Sequence, residues 1–208
     1  MAPTETQFNS PGMIALSILI ASIEERGEQL KILLENKLKV PTYYSGNVEV
    51  IPLVDNKEIS VGLKRQRLLE MANGKWIVYF DDDDDPYPWY MASILKGINT
   101  GGDIDCMGIN VDMTTNGKRP QRCCHSLRYP TWREHVDEWD YVRNITHFNP
   151  VLKSKALATG FKDLRFGEDR DYSDRITPTL TKEYYITRPL FHYRFSNKQP
   201  HNQKYGII

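Results

Sequence analysis

Between residues 14 and 80 the chain alternates apolar runs of strand length with segments of helical period, and this alternation limits the fold more than any other feature. Residues 14–21 read as a buried strand. Residues 24–39 place Leu30, Leu33, Leu34 and Leu38 on one helical face, and Pro41 is the stop. Residues 48–54 read as a second strand closed by Asp55. Ser60 is a suitable N-cap for a helix through Ala72, with Asn73-Gly74 as its C-terminal stop. Residues 75–80 read as a third strand that runs directly into five consecutive aspartates, residues 81–85. A helix over 88–98 and a strand over 104–111 follow. This β-α-β-α-β order predicts an α/β fold: a Rossmann-like, mostly parallel sheet with helices on both faces and ligands at the carboxyl ends of its strands.

The second half is less regular. Asn116-Gly117 predicts a hairpin turn between Asp112 and Arg122. Aromatics and histidines crowd residues 125–148. Gly167-Glu168-Asp169 opens a helix through Arg175 that Pro178 ends, and residues 184–186 and 190–195 read as short late strands. No internal repeat or linker divides the chain. The expected organisation is a loosely held N-terminus over 1–12, one domain over 13–195 and a polar tail over 196–208.

Composition narrows the function. The 208 residues are 40% hydrophobic, with four Trp and twelve Tyr, enough to bury a sizeable core. Acids and bases balance at 27 each, so the chain lacks the positive field expected of a protein whose main partner is duplex nucleic acid. No run of eighteen apolar residues suits a membrane span, and no basic, apolar leader with a cleavage site begins the chain. Three cysteines, Cys106, Cys123 and Cys124, have no metal-ligand spacing, and their odd number argues against a disulfide framework. A reducing, cytoplasmic setting is expected.

Three groups of suspect residues fall at strand ends: residues 21–26 (Ala21, Ser22, Ile23 and Arg26 among them), Asp55, and the aspartate run. A buried strand that ends in carboxylates suits a divalent cation, and the cation suits a diphosphate. An EF-hand loop is excluded, because its sixth position holds Pro86 instead of Gly and its twelfth holds Ala92 instead of an acid. Lys64, Arg65 and Arg67 lie in the first turns of the helix capped by Ser60, where the backbone N–H groups already favour an anion. No Gly-rich loop ending in Lys-Ser/Thr is present, so a P-loop enzyme is unsupported. Glu168 and Asp169 open a helix, where a carboxylate either caps the helix or acts as a general base towards a hydroxyl. His192, on a late strand, either completes a cation site or bonds a carbonyl in the core. His147 faces the same choice next to an acceptor pocket.

Taken in order, four stretches resemble the GT-A fold of family-2 glycosyltransferases, inverting enzymes that use nucleotide-diphosphate sugars. Leu16-Ser17-Ile18-Leu19-Ile20-Ala21-Ser22 is similar to the first strand and its nucleotide-contacting turn. Gly62-Leu63-Lys64-Arg65-Gln66-Arg67 resembles the helix whose basic residue meets the diphosphate. The strand and aspartate run up to Pro88 resemble the acidic DxD segment. Phe166-Gly167-Glu168-Asp169-Arg170-Asp171 resembles the segment that supplies the catalytic base. The compact size and the run from Thr146 to Lys153 look most like small viral members, from algal viruses or phages.

The resemblance implies a nucleotide-binding half over 13–100 and an acceptor half over 101–195. It implies that Ala21, Ser22, Ile23 and Asp55 hold the base, commonly uridine, and that Lys64 and Arg65 approach the phosphates. Counted back from Pro88, Asp83 falls on the metal ligand (Mn²⁺ or Mg²⁺) and Asp82 on the ribose contact, with Asp81 able to help either. His192 lies near a late metal or phosphate contact. Asp169 would deprotonate the acceptor hydroxyl and Glu168 would orient it. The partners implied are a nucleotide-sugar donor and a glycan or other hydroxyl acceptor; a modified base in nucleic acid is a less favoured acceptor, given the neutral charge. Two rivals stand beside this reading. A nucleotidyltransferase would need a Gly-rich or Lys-bearing loop after the first strand, which residues 21–26 do not supply. A non-catalytic nucleotide- or cation-binding module would use Glu168 and Asp169 only as helix caps.

Overall fold

The computed structural model describes residues 13–40 and 46–196, so the expectations for residues 1–12 and for the tail beyond 196 lie outside the described residues. Strand β1 (Leu16–Ile23) is central, flanked in parallel by β2 (Val48–Asp55) and β3 (Trp76–Tyr79). Period-two alternation sets its two faces. Leu16, Ile18 and Ile20 enter one core cluster and Leu19 the other, and all four are fully buried. The helices divide accordingly. Leu30 and Leu33, from α1 (Gly27–Ile32) and the π-helical turn after it (Leu33–Lys37), join Tyr90, Met91, Ile94 and Leu95 of α3 (Tyr90–Thr100) on the first face. Leu68 and Leu69 of α2 (Val61–Met71) pack on the other face, with Ala156 of α4 (Lys153–Thr159) and Tyr172 and Ile176 of α5 (Glu168–Ile176). The α/β fold with a mostly parallel central sheet and helices on both faces is therefore present.

The sheet continues through short strands. β4 (Asp85–Pro86) pairs antiparallel with β10 (Glu183–Phe195), which lies parallel to β5 (Cys106–Thr115). β9 (Val151–Leu152) bridges β3 and β5, and β6 (Lys118–His125), β8 (Trp139–Arg143) and β7 (Arg133–Val136) extend the mixed portion. The Asn116-Gly117 turn has positive φ at both residues (52° and 71°), as a two-residue hairpin needs, and it sets Asp112 opposite Arg122.

Three elements differ from the sequence expectation. The helix expected over 24–39 is a 3₁₀ turn (Glu24–Arg26), then α1, then the π turn, which still keeps Leu30, Leu33 and Leu38 buried. The two late strands are one strand, β10, because Pro189 is absorbed by register shifts rather than ending the ladder. Strands β7 and β8 occupy part of the aromatic stretch, where exposed polar residues mask the alternation. Among the described residues no helix is long and apolar enough to cross a membrane. Cys106, Cys123 and Cys124 are buried free thiols.

Candidate active site

The carboxyl ends of β1 and β3 open onto a cleft of about 570 Å³, closed on the far side by the N-terminus of α5. Ala21, Ser22, Ile23 and Arg26, together with Lys64, Arg65, Asp81, Asp82, Asp83, Glu168 and Asp169, all line it. The acidic run and the Glu168-Asp169 pair thus face one space.

The five aspartates have five different fates. Asp81 stands on the cleft wall with one oxygen 3.0 Å from Arg65 Nη2. Burial would raise its carboxyl, but the Arg65 guanidinium and His147 hold it well below the usual carboxylate range. Asp82 is buried and tied back: Ser22 Oγ donates to it at 2.5 Å, Arg26 Nη1 at 2.6 Å, and its carbonyl accepts from Gln29. Asp82, expected from the sequence at the ribose, thus lines the cleft with both carboxylate oxygens already engaged by the protein. Asp83 faces the cleft with a longer pair to Arg26, 3.3 Å, and burial together with the Asp81 charge raises its carboxyl, against Arg26. Asp84 turns away into the interior, where burial pushes its carboxyl well up. Asp85 ends the run in ion pairs with Lys37 and Arg194, and its short strand on β10 fixes the register of the whole turn.

Opposite, Gly167 adopts a left-handed conformation (φ 72°) that turns the chain into α5. Glu168 is buried, 3.5 Å from Arg65 Nη1, and burial raises its carboxyl against the pull of Arg65. Asp169 is half-buried, with one oxygen accepting from the Arg170 N–H at 2.7 Å. Arg65 therefore spans the two acidic groups, bonding Asp81 with one nitrogen and lying beside Glu168 with another. Its Nε and Nη1 make no hydrogen bond.

The nucleotide end differs from expectation in detail. Lys64 Nζ donates to the Ser22 carbonyl at 2.5 Å and pairs closely with Asp55, whose other oxygen accepts from Ile59 N–H at 3.0 Å. Asp55 thus lies behind Lys64, outside the cleft lining, while Ile23, Ile59 and Val61 contribute apolar surface there. His192 is not brought in: its Nε2 is 2.9 Å from Thr114 Oγ1, and strand alternation sends the next residue, Tyr193, into the cleft instead. Sequence reasoning left out Tyr193, whose signal was its odd parity beside His192.

Among the described residues no three His, Cys, Asp or Glu side chains close into a metal cage. The cleft instead offers what Mg²⁺ or Mn²⁺ uses beside a diphosphate, one or two carboxylates with the remaining ligands from phosphate and water. Asp83, raised by burial and by neighbouring negative charge that a cation would offset, fits that donor set.

No family model matches the sequence. An E. coli K12 protein described as an uncharacterized glycosyltransferase, YibD, is 28% identical over 78 residues, 38% of this chain and 22% of that protein. Among solved structures, residues 1–349 of S. aureus TarS align over 87% of this chain and 60% of theirs at 12% identity, with a TM-score of 0.57. The TarS complex with UDP gives 0.58 at 15% identity over 88% and 61%, and that with UDP-GlcNAc 0.57 at 14% over 87% and 58%. The chain spans about a fifth of YibD and about three fifths of the TarS fragment. The fold is that of TarS, GT-A-like and mixed α/β.

Proposed function

We propose that this chain is an inverting glycosyltransferase that moves a sugar from a nucleotide-diphosphate sugar, a UDP-sugar, to an acceptor hydroxyl. The observation that carries the reading is the single cleft in which Arg65 spans Asp81 and Glu168, so that a donor-side acidic loop and an acceptor-side carboxylate pair face each other. The fold shared with TarS, which has been solved with UDP and with UDP-GlcNAc, supports the donor class.

In this reading the nucleotide lies over Ala21, Ser22 and Ile23, with the Lys64–Asp55 pair bracing the strand ends beneath it. Asp83 would hold a Mn²⁺ or Mg²⁺ ion, which when bound would neutralise charge growing on the leaving diphosphate. Arg26, already against Asp82 and Asp83, shares that load. Asp169 accepts the proton of the acceptor hydroxyl as its oxygen bonds to the anomeric carbon. The bond from that carbon to the diphosphate breaks, and the electron pair leaves with the nucleotide. Attack from the side opposite the leaving group inverts the configuration. Buried Glu168 keeps Arg65 and the start of α5 in place.

The test is a panel of nucleotide-sugars with Mn²⁺ or Mg²⁺, scored for released nucleotide with and without simple sugar acceptors. Release that depends on the cation is the expected result; binding without any turnover across the panel would favour a non-catalytic module. The metal assignment has its own check in UDP titrations. Wild-type affinity should rise when Mn²⁺ is added and fall back with a chelator, while Asp83→Ala should show neither change. Equal cation-dependent affinity in the two proteins would remove Asp83 from that role.

A further inference from the structure

The part of the cleft between Asp81 and Glu168 holds buried polar groups that make no hydrogen bond within the protein. His147 is 4% exposed and lines the cleft, yet neither ring nitrogen has a hydrogen-bond partner. Its Nε2 is 3.7 Å from Asp81 Oδ2, an electrostatic contact too long for a hydrogen bond. Arg65, equally buried, leaves Nε and Nη1 unbonded in the same cleft. Buried unpaired donors and acceptors are costly, so a cluster of them on residues that line one cleft calls for a ligand that completes it.

The ring is firmly held. It packs against Phe148 with centroids 3.9 Å apart and meets the edge of Tyr79, while its backbone carbonyl accepts from Tyr79 N–H at 3.0 Å. Burial and the adjacent Arg65 charge push the ring down against the pull of Asp81, and a neutral imidazole donates through one nitrogen and accepts through the other. Phosphate is a poor match here, because it only accepts and would lie beside the ionised Asp81. A hydroxyl both donates and accepts and carries no charge, and its oxygen also suits the Arg65 N–H groups that make no hydrogen bond. In a direct displacement the transferred sugar must lie between the leaving diphosphate and the base, and this cluster touches Asp81, in the same loop as Asp83, and Glu168, next to Asp169.

We infer that His147, supported by Arg65, forms a subsite that hydrogen-bonds a ring hydroxyl of the donor sugar and so selects the sugar being transferred. The inference rests on the donor-site reading above. A site built to bond a hydroxyl discriminates strongly against ligands that cannot fill it, because its own buried groups are then left unpaired.

The experiment is equilibrium titration of wild type, His147→Phe and His147→Asn with UDP, UDP-glucose, UDP-galactose and UDP-GlcNAc, all with Mn²⁺. Wild type should bind at least one UDP-sugar more tightly than UDP. His147→Phe, which keeps the ring packing, should lose about tenfold of that sugar preference with UDP affinity unchanged, and His147→Asn, which keeps a donor and an acceptor, should retain part of it. Loss of UDP and UDP-sugar affinity in parallel, an unaltered preference in both variants, or no sugar preference in wild type would each overturn the subsite. Failure of wild type to bind UDP or any of the sugars would instead remove the donor-site reading itself. Thermal melts of both variants confirm that the fold is intact.

Discussion

Arg65 carries its charge where water scarcely reaches it, and that is possible because Asp81 and Glu168 approach from two sides. Replacing it with methionine leaves two crowded carboxylates without their counter-charge. Breaking a buried pair from one side costs on the order of 3–5 kcal/mol, so Arg65→Met should lower the urea midpoint of unfolding markedly. A change confined to activity, with the midpoint unmoved, would mean that the guanidinium does not hold the cleft together. His125 tests burial by pH. Its Nδ1 is 3.0 Å from Thr146 Oγ1, and burial, then Arg143 and His147, push the ring down to about 3. The unfolded chain takes up this proton near 6.5 and the folded chain only near 3. The stabilisation is therefore complete above pH 6.5 and is lost as the pH falls through that window, by about 1.4 kcal/mol per unit. Urea midpoints at pH 7 and pH 5 should differ more in wild type than in His125→Gln; identical differences would contradict the assignment.

The start of α2 and the loop before α5 act as one element. Ser60 accepts from Leu63 N–H at 3.0 Å as the N-cap and donates to Asp163 at 2.5 Å, and Gly62 N–H donates to the Leu164 carbonyl at 3.0 Å. A Cβ on Gly62 would lie 2.1 Å from the Lys162 carbonyl oxygen, so only glycine permits this approach. Because the loop leads straight into Gly167-Glu168-Asp169, its position sets where Asp169 stands. Gly62→Ala should destabilise the protein by about 1–3 kcal/mol and cut turnover by up to roughly 10²-fold, with UDP affinity less affected. Turnover at the wild-type rate would show that the clasp does not position the base. Ser60→Ala, which removes the cap alone, should cost about 1 kcal/mol.

At the scale of the molecule, what the sequence made legible was whatever local chemistry decides. The three parallel strands were legible from their apolar runs, the start of α2 from a capping serine, and the hairpin from two residues suited to positive φ. The aspartate run was legible as a site but not in its division of labour. Five identical side chains carry no signal of which will meet Ser22, Arg26, Lys37 or the cleft; only the pairing of β4 with β10, about a hundred residues apart, decides that. His192 and Tyr193 differ by a single step of strand parity, which Pro189 obscures. The span of Arg65 from one acidic group to the other is a tertiary fact that joins α2, the loop after β3 and α5.

That span supports the central claim, that one cleft holds a donor-side acid and a base in opposition. The most direct measurement compares nucleotide release by wild type and Asp169→Asn on a UDP-sugar that wild type turns over, with UDP affinity measured on the same two proteins. General-base assistance amounts to about 10²–10⁴-fold in rate. Release should fall by that factor in the variant while UDP binds equally well. Release at the wild-type rate by Asp169→Asn would contradict the account.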